Sequence, residues 1–101
     1  MAAIRLPFQG RWRPLVLSGA KTTTVRAKRH GREGDEFEVE GRRFRLVEVR
    51  ALPLREARDS AWREEGMASP REFEDVWRAN HPQRGFRGED SVWLHRFERV
   101  R

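Results

Sequence analysis

The chain of 101 residues contains no cysteine. That excludes a disulfide scaffold, a cysteine-ligated zinc site and a thiol nucleophile. No apolar stretch approaches the roughly 20 residues of a membrane span. The first residues lack the apolar core of a signal peptide. A soluble cytoplasmic domain with no membrane partner is therefore expected. Glycine-rich phosphate loops are missing, and His30, His81 and His95 have no metal-ligand spacing on a helix face. Neither a metal nor a cofactor is expected, and no specific protein partner is inferred. Asparagine and glutamine total three residues. Such a scarcity of thermolabile side chains fits a hot habitat, which a high melting midpoint would reveal.

Acidic residues are absent from one whole region. Residues 1–32 carry eight bases and no acid, although the chain as a whole has 22 bases, 16 acids and a net charge of +6. Residues 33–75 carry thirteen acids against eight bases, and residues 76–101 six bases against three acids. A one-signed N-terminal third suggests an anionic partner, of which nucleic acid is the usual one. Lysine is also scarce: 20 of the bases are arginine, and only Lys21 and Lys28 are lysine. Arginine keeps its proton in a protein, whereas a buried lysine can lose it. A lysine kept in an arginine-dominated chain therefore points modestly to amine chemistry.

What is present fits one domain over residues 1–101. A chain of this length buries roughly two-thirds of its unfolded surface. Residues 3–8 read as an edge strand and residues 11–17 as a short helix, with Pro14 in its first turn and Gly19 beyond its end. Residues 22–26 are β-branched and read as a strand. Residues 36–40 alternate acid and apolar, and residues 43–50 form the return strand of a hairpin. Arg43 and Arg45 are placed to pair with the hairpin's glutamates rather than with nucleic acid. Residues 54–65 read as a helix closed by Gly66. Ser69-Pro70-Arg71-Glu72 has the capping-box form before a second amphipathic helix, with Phe73, Val76, Trp77 and Asn80 on one face. Residues 91–100 are apolar on both faces, which marks a central strand. Together these give a small α+β fold of four or five strands and three helices, its sheet curled into a partly closed barrel.

Two places can carry chemistry. Lys21-Thr22-Thr23-Thr24-Val25-Arg26 holds every threonine of the chain and one of its two lysines. A threonine hydroxyl needs a nearby base to become a nucleophile. Lysine can be that base when burial or neighbouring cations lower its pKa. In an ideal strand Lys21 and Thr24 point to opposite faces, so Lys21 must lie in the preceding loop. Thr22 shares a strand face with Thr24, which leaves the choice of hydroxyl open. On the helix ending near residue 65, Glu65 falls near the middle of the face that Leu54, Ala57, Ala61 and Trp62 bury, with Glu64 at its edge. Desolvation and the negative helix end there favour a neutral carboxyl, an environment suited to a general acid. Trp12 and Trp62 are candidates both for core packing and for stacking on a base.

The run from Gly19 to Arg26 resembles the Gly-x-Lys-Thr-x-Thr-x-Arg motif of the activating signal cointegrator homology (ASCH) domains, a PUA-like β-barrel family linked to RNA. Gly34-Asp35, Glu65-Gly66-Met67, the helix with Phe73 and Trp77, and a last strand ending at Phe97 are similar to the family too. The resemblance implies a PUA-like barrel that binds RNA or a nucleoside. One small bacterial branch hydrolyses N4-acetylcytidine and related N4-acylated cytosines. By that likeness Lys21 is the proton acceptor, Thr24 the nucleophile and Glu65 the proton donor. The leading expectation is a basic groove that holds a base and meets phosphates through Arg11, Arg13, Arg26, Lys28 and Arg29, with Thr22 beside them. The alternative is an amidohydrolase acting on N4-acylcytosines.

Overall fold

The computed structural model describes residues 2–101. Seven elements follow one another: α1 (Arg13–Ser18), β1 (Thr23–Arg26), β2 (Glu36–Val39), β3 (Arg42–Pro53), α2 (Leu54–Ala61), α3 (Pro70–Asn80) and β4 (Ser91–Arg99). The strands form one antiparallel sheet in the order β1-β4-β3-β2. β4 is central, as its two apolar faces predict. The sheet curls and three helices flank it, an α+β half-barrel. Val47 is the extra residue in a bulge between Leu46 and Glu48, the kind of insertion that bends a strand and strengthens its twist.

The hairpin follows its sequence pattern. Phe37 and Val39 are buried while Glu38 faces water. Across the pair, Arg45 meets Glu36 at 2.9 Å and Arg43 reaches the same carboxylate at 3.7 Å. Both arginines find their partner within the sheet. Phe37, Phe44 and Phe97 pack edge-on and stacked with centroids 5.3–5.8 Å apart, and Phe8 closes the cluster.

Two expected elements differ. Residues 3–8 make a single parallel bridge, Ala3 to Glu36, and no strand. Pro7 has no N–H to offer a ladder. The carbonyls of Pro7 and Phe8 accept instead from the Arg26 and Arg13 side chains. α2 stops at Ala61, four residues early, but helical spacing persists through the Glu65 N–H donating to the Ala61 carbonyl at 2.9 Å. The chain then reverses at Gly66, whose φ is +83°. A Cβ there would lie 3.1 Å from Leu15 and 3.4 Å from Lys21, so glycine supplies both the left-handed turn and the close approach. Half of the capping box forms as expected, with the Ser69 side chain accepting from the Glu72 N–H, while the Glu72 carboxylate accepts from the Ala68 N–H, one residue before the cap.

Candidate functional site

Lys21, Thr24 and Glu65 line one pocket of about 220 Å³. Trp12 and Phe8 come from the loop before α1 and its cap, and Met67, Phe73, Val76 and Trp77 from the α3 side. Each of the three polar residues is only 4% exposed. Lys21 sits just before β1, because the strand begins at Thr23. The loop position lets it reach the same side as Thr24. Thr22 does not join them: it lines a separate hollow with Leu17 and Glu98. Its backbone and that of Thr23 donate to the Glu64 carbonyl, pinning β1 to the turn after α2.

Glu65 is the hub. Its Oε1 accepts from the Val25 N–H at 3.2 Å and lies 3.5 Å from Lys21 Nζ. Its Oε2 accepts from the Thr23 hydroxyl. Lys21 Nζ also donates to the Glu65 carbonyl at 3.1 Å and sits 5.1 Å from the Trp12 ring centroid. Burial pushes the Lys21 ammonium below the usual lysine range. Glu65 opposes that fall and Arg26 adds to it. A carboxylate has about four lone-pair positions and an ammonium three donors. After these bonds Glu65 retains about one acceptor position and Lys21 about one donor, and both residues line a pocket with aromatic walls.

Arg26 belongs to the site's frame. Its Nε donates to Thr24 Oγ1 at 2.9 Å and its Nη2 to the Pro7 carbonyl at 2.7 Å. The Thr24 hydroxyl is thereby oriented with its own hydrogen free to be given away. Arg29 bonds the Gly31 carbonyl and pairs with Glu33 at 3.8 Å. Arg11 stacks over Trp12 and lies 4.0 Å from Glu72. Arg13 lines a different groove, along the edge of β2. Lys28 is exposed and, among the described residues, has no ion-pair partner. The acid-free N-terminal third is therefore one surface in sequence but several in space.

Beneath β1, His95 is fully buried. Its Nδ1 lies 3.1 Å from the Thr24 carbonyl and its Nε2 accepts from the His30 N–H at 2.9 Å. That pattern needs the neutral imidazole with hydrogen on Nδ1. Burial pushes His95 below its usual range, and the nearby His30 and Arg26 add to the effect. A lowered folded-state pKa means the unfolded chain binds more protons below about pH 6.5. Stability from this group is complete above that pH and is lost as pH falls through the folded value. Urea midpoints are expected to fall between pH 7 and pH 5, and less steeply in His95→Gln than in the wild type. Equal slopes would show that His95 is no part of the acid response.

Some residues at the site have no role in the sequence analysis: the Thr23 hydroxyl bonds Glu65, and Gln9 lines the pocket. Trp77, Asn80 and His81 line it too, although the sequence presents the first two as one face of a helix and the third as a histidine with no metal spacing. The spacing of Phe73, Trp77 and His81, each four apart, was the available signal. Trp62 lies outside the pocket, beneath the Arg63 guanidinium.

Among the described residues, no group of three or more histidine, aspartate or glutamate side chains is arranged to hold a metal ion. Nor is any helix among the described residues long and apolar enough to cross a membrane. No protein-family model matches the sequence, and no curated protein matches it. Solved structures do match its fold. The ASCH domain from Lactobacillus crispatus JV V101 superposes with a TM-score of 0.77 at 12% identity, covering 97% of this chain and 78% of that one. Protein EF3133 from Enterococcus faecalis V583 gives 0.66 at 19% identity, covering 98% and 78%. Protein PF0455 from Pyrococcus furiosus gives 0.61 at 16% identity, covering 98% and 94%. These likenesses cover nearly the whole chain, and it shares the fold of that ASCH domain structure.

Proposed function

We propose that this protein holds one unstacked base, of single-stranded RNA or of a free nucleoside, in the pocket between Trp12 and Trp77. The observation that supports this most is the single free acceptor on Glu65 beside the single free donor on Lys21, both walled by aromatic rings. An amino-bearing base offers the complement, an exocyclic N–H next to a ring acceptor, and glutamate is a known acceptor for the cytosine amino group. Size agrees. Pockets for drug-sized ligands run to about 300–1,000 Å³, so 220 Å³ suits one ring rather than a longer ligand. Trp12 and Trp77 supply the stacking surfaces that RNA-binding modules use.

Tryptophan fluorescence titrated with cytidine tests this reading. Saturable quenching is expected in the wild type and its loss in Glu65→Gln, which reverses one hydrogen-bonding position. Affinity for short single-stranded RNA is expected to fall only gently with salt. Log affinity changes by about 0.7 per phosphate contact for each decade of salt, and Arg26, Arg29 and Arg11 have partners within the fold. A steep slope would show a broad phosphate track instead.

A second reading has its own support: Lys21, with its lowered pKa, and the oriented Thr24 hydroxyl share the pocket. In this reading the protein hydrolyses an N4-acylcytosine. The Lys21–Glu65 pair is neutral as a whole whichever partner holds the shared proton. With the proton on Glu65, the Lys21 amine accepts the hydroxyl proton as Thr24 Oγ1 attacks the acyl carbon. The carbon–N4 bond breaks, Glu65 protonates the leaving nitrogen, and the acyl group stays on Thr24. Water then attacks the ester and gives its proton to Glu65. Lys21 returns a proton to Thr24, and the starting state is restored. Incubation with N4-acetylcytidine, followed by ultraviolet absorbance, measures cytidine release.

A further inference from the structure

We infer that the pocket continues into a second base site, on the outer end of an aromatic stack along α3, where the neighbouring base of a single-stranded RNA rests. The inference builds on the base-binding reading and adds that the ligand is a strand rather than a free nucleoside. Its first support is continuity. Ala27, Trp77 and His81 line both the 220 Å³ pocket and an adjoining hollow of about 310 Å³, closed on its other side by Arg84, Asp90 and Ser91.

The second support is the stack itself. The Phe73 and Trp77 rings are 6.3 Å apart and 3° from parallel, and those of Trp77 and His81 are 4.1 Å apart at 20°. Exposure rises along the series: Phe73 is 2% exposed, Trp77 9%, and His81 partly exposed. The column thus runs from the core to the surface and ends in a ring. That ring is held in place. Its Nδ1 lies 3.0 Å from the Trp77 carbonyl, and the His81 N–H donates to the same oxygen at 2.9 Å. A ring fixed by its own helix loses little freedom when a base stacks on it.

The polar lining selects a base over a phosphate. The hollow lies at the C-terminal end of α3, where helix carbonyls make the potential negative. Arg84 adds no free positive charge, because it grips Asp90 through two bonds of 2.7 Å. A phosphate is disfavoured there, whereas a base meets one ring face and paired donors and acceptors at its edge. Lys28, exposed and next in the chain to the Ala27 that both hollows share, is the base that would meet the linking phosphate of a bound strand.

Calorimetric titration of cytidine and of the trinucleotide UCU with the full chain tests this. The wild type is expected to bind UCU about tenfold or more tightly than cytidine, the range that one stacked base supplies. His81→Ala is expected to bring the ratio of the two affinities close to one. His81→Phe, which keeps a ring on the column, is expected to restore it. The ratio controls for folding, since a misfolded variant loses both ligands. Measurable cytidine binding with no gain for UCU overturns the second site and leaves the first. A UCU gain that persists in His81→Ala also overturns it. Failure of both ligands to bind the wild type overturns the base-binding reading and this inference together.

Discussion

Glu65→Ala is expected to destabilise the fold by about 3–5 kcal/mol, the cost of leaving one member of a buried ion pair alone. Lys21 would keep its position under Trp12 with only the Glu65 backbone carbonyl as a partner. The Val25 N–H and the Thr23 hydroxyl would lose their acceptor as well, at about 1–3 kcal/mol for each buried group left unsatisfied. A chemical-denaturation midpoint measures the loss, and a change below about 1 kcal/mol would contradict the buried geometry. The pH response carries a further sign. Without the carboxylate that holds it up, the Lys21 pKa falls further below 10.5. The unfolded chain then binds the extra proton across the interval between the folded value and 10.5, so stability rises with pH there. The rise is expected to be steeper in Glu65→Ala than in the wild type. Removing both charges, as Lys21→Met with Glu65→Leu, is expected to recover part of the stability, since an apolar pair of similar volume often replaces a buried ion pair without loss. Cytidine binding should be absent from that double variant, which separates the pair's role in recognition from its role in folding.

In the hydrolase reading, Thr24→Ala is expected to lower cytidine release from N4-acetylcytidine by at least about a thousandfold, because that reading leaves no other hydroxyl to attack. Thr23 is turned to Glu65 and Thr22 to another hollow. Lys21→Arg is expected to match that loss. Arginine keeps the positive charge but does not give up its proton, so base binding can survive while turnover does not. The two substitutions combined should cost no more than either alone, as for groups that act as a unit. Both variants are expected to remain folded by circular dichroism, since Thr24→Ala removes only the bond from Arg26, about 1 kcal/mol. Activity that survives in Thr24→Ala ends the hydrolase reading and leaves the base-binding one in place.

Much of this site was legible in the sequence because its signals are local. The period of α2 carries past its end, so counting at 100° per residue put Glu65 on the inner face even though the helix stops at Ala61. The hairpin from β2 to β3 announced its own register through alternating glutamate and phenylalanine. The unreadable parts depend on distant partners. Residues 3–8 have strand-like composition, but their carbonyls are claimed by arginines 5 and 19 positions away. Thr22 and Thr24 would share a face of an ideal strand, and they part because β1 begins only at Thr23, which leaves Thr22 in the preceding loop beside another hollow. Periodicity gives the faces of a strand and does not say at which residue the strand begins. Charge density has the same limit: Arg26 and Arg29 are close in sequence to Lys28, and only the fold reveals the partners of the first two.

The strand that carries Thr24 pairs only with β4, and Thr24 lies opposite His95, 71 residues further along the chain. Contacts of such separation form late, because a long loop must close before they contribute. The hairpin and the α2–α3 segment can assemble from near neighbours, whereas the pocket needs both ends of the chain. During synthesis, at roughly 5–20 residues per second, the strand that carries Thr24 gains its β4 partners only once residues 93–96 have left the ribosome. Ligand binding is therefore a reporter for the completion of folding, and in a refolding experiment it should return no earlier than the slowest native signal.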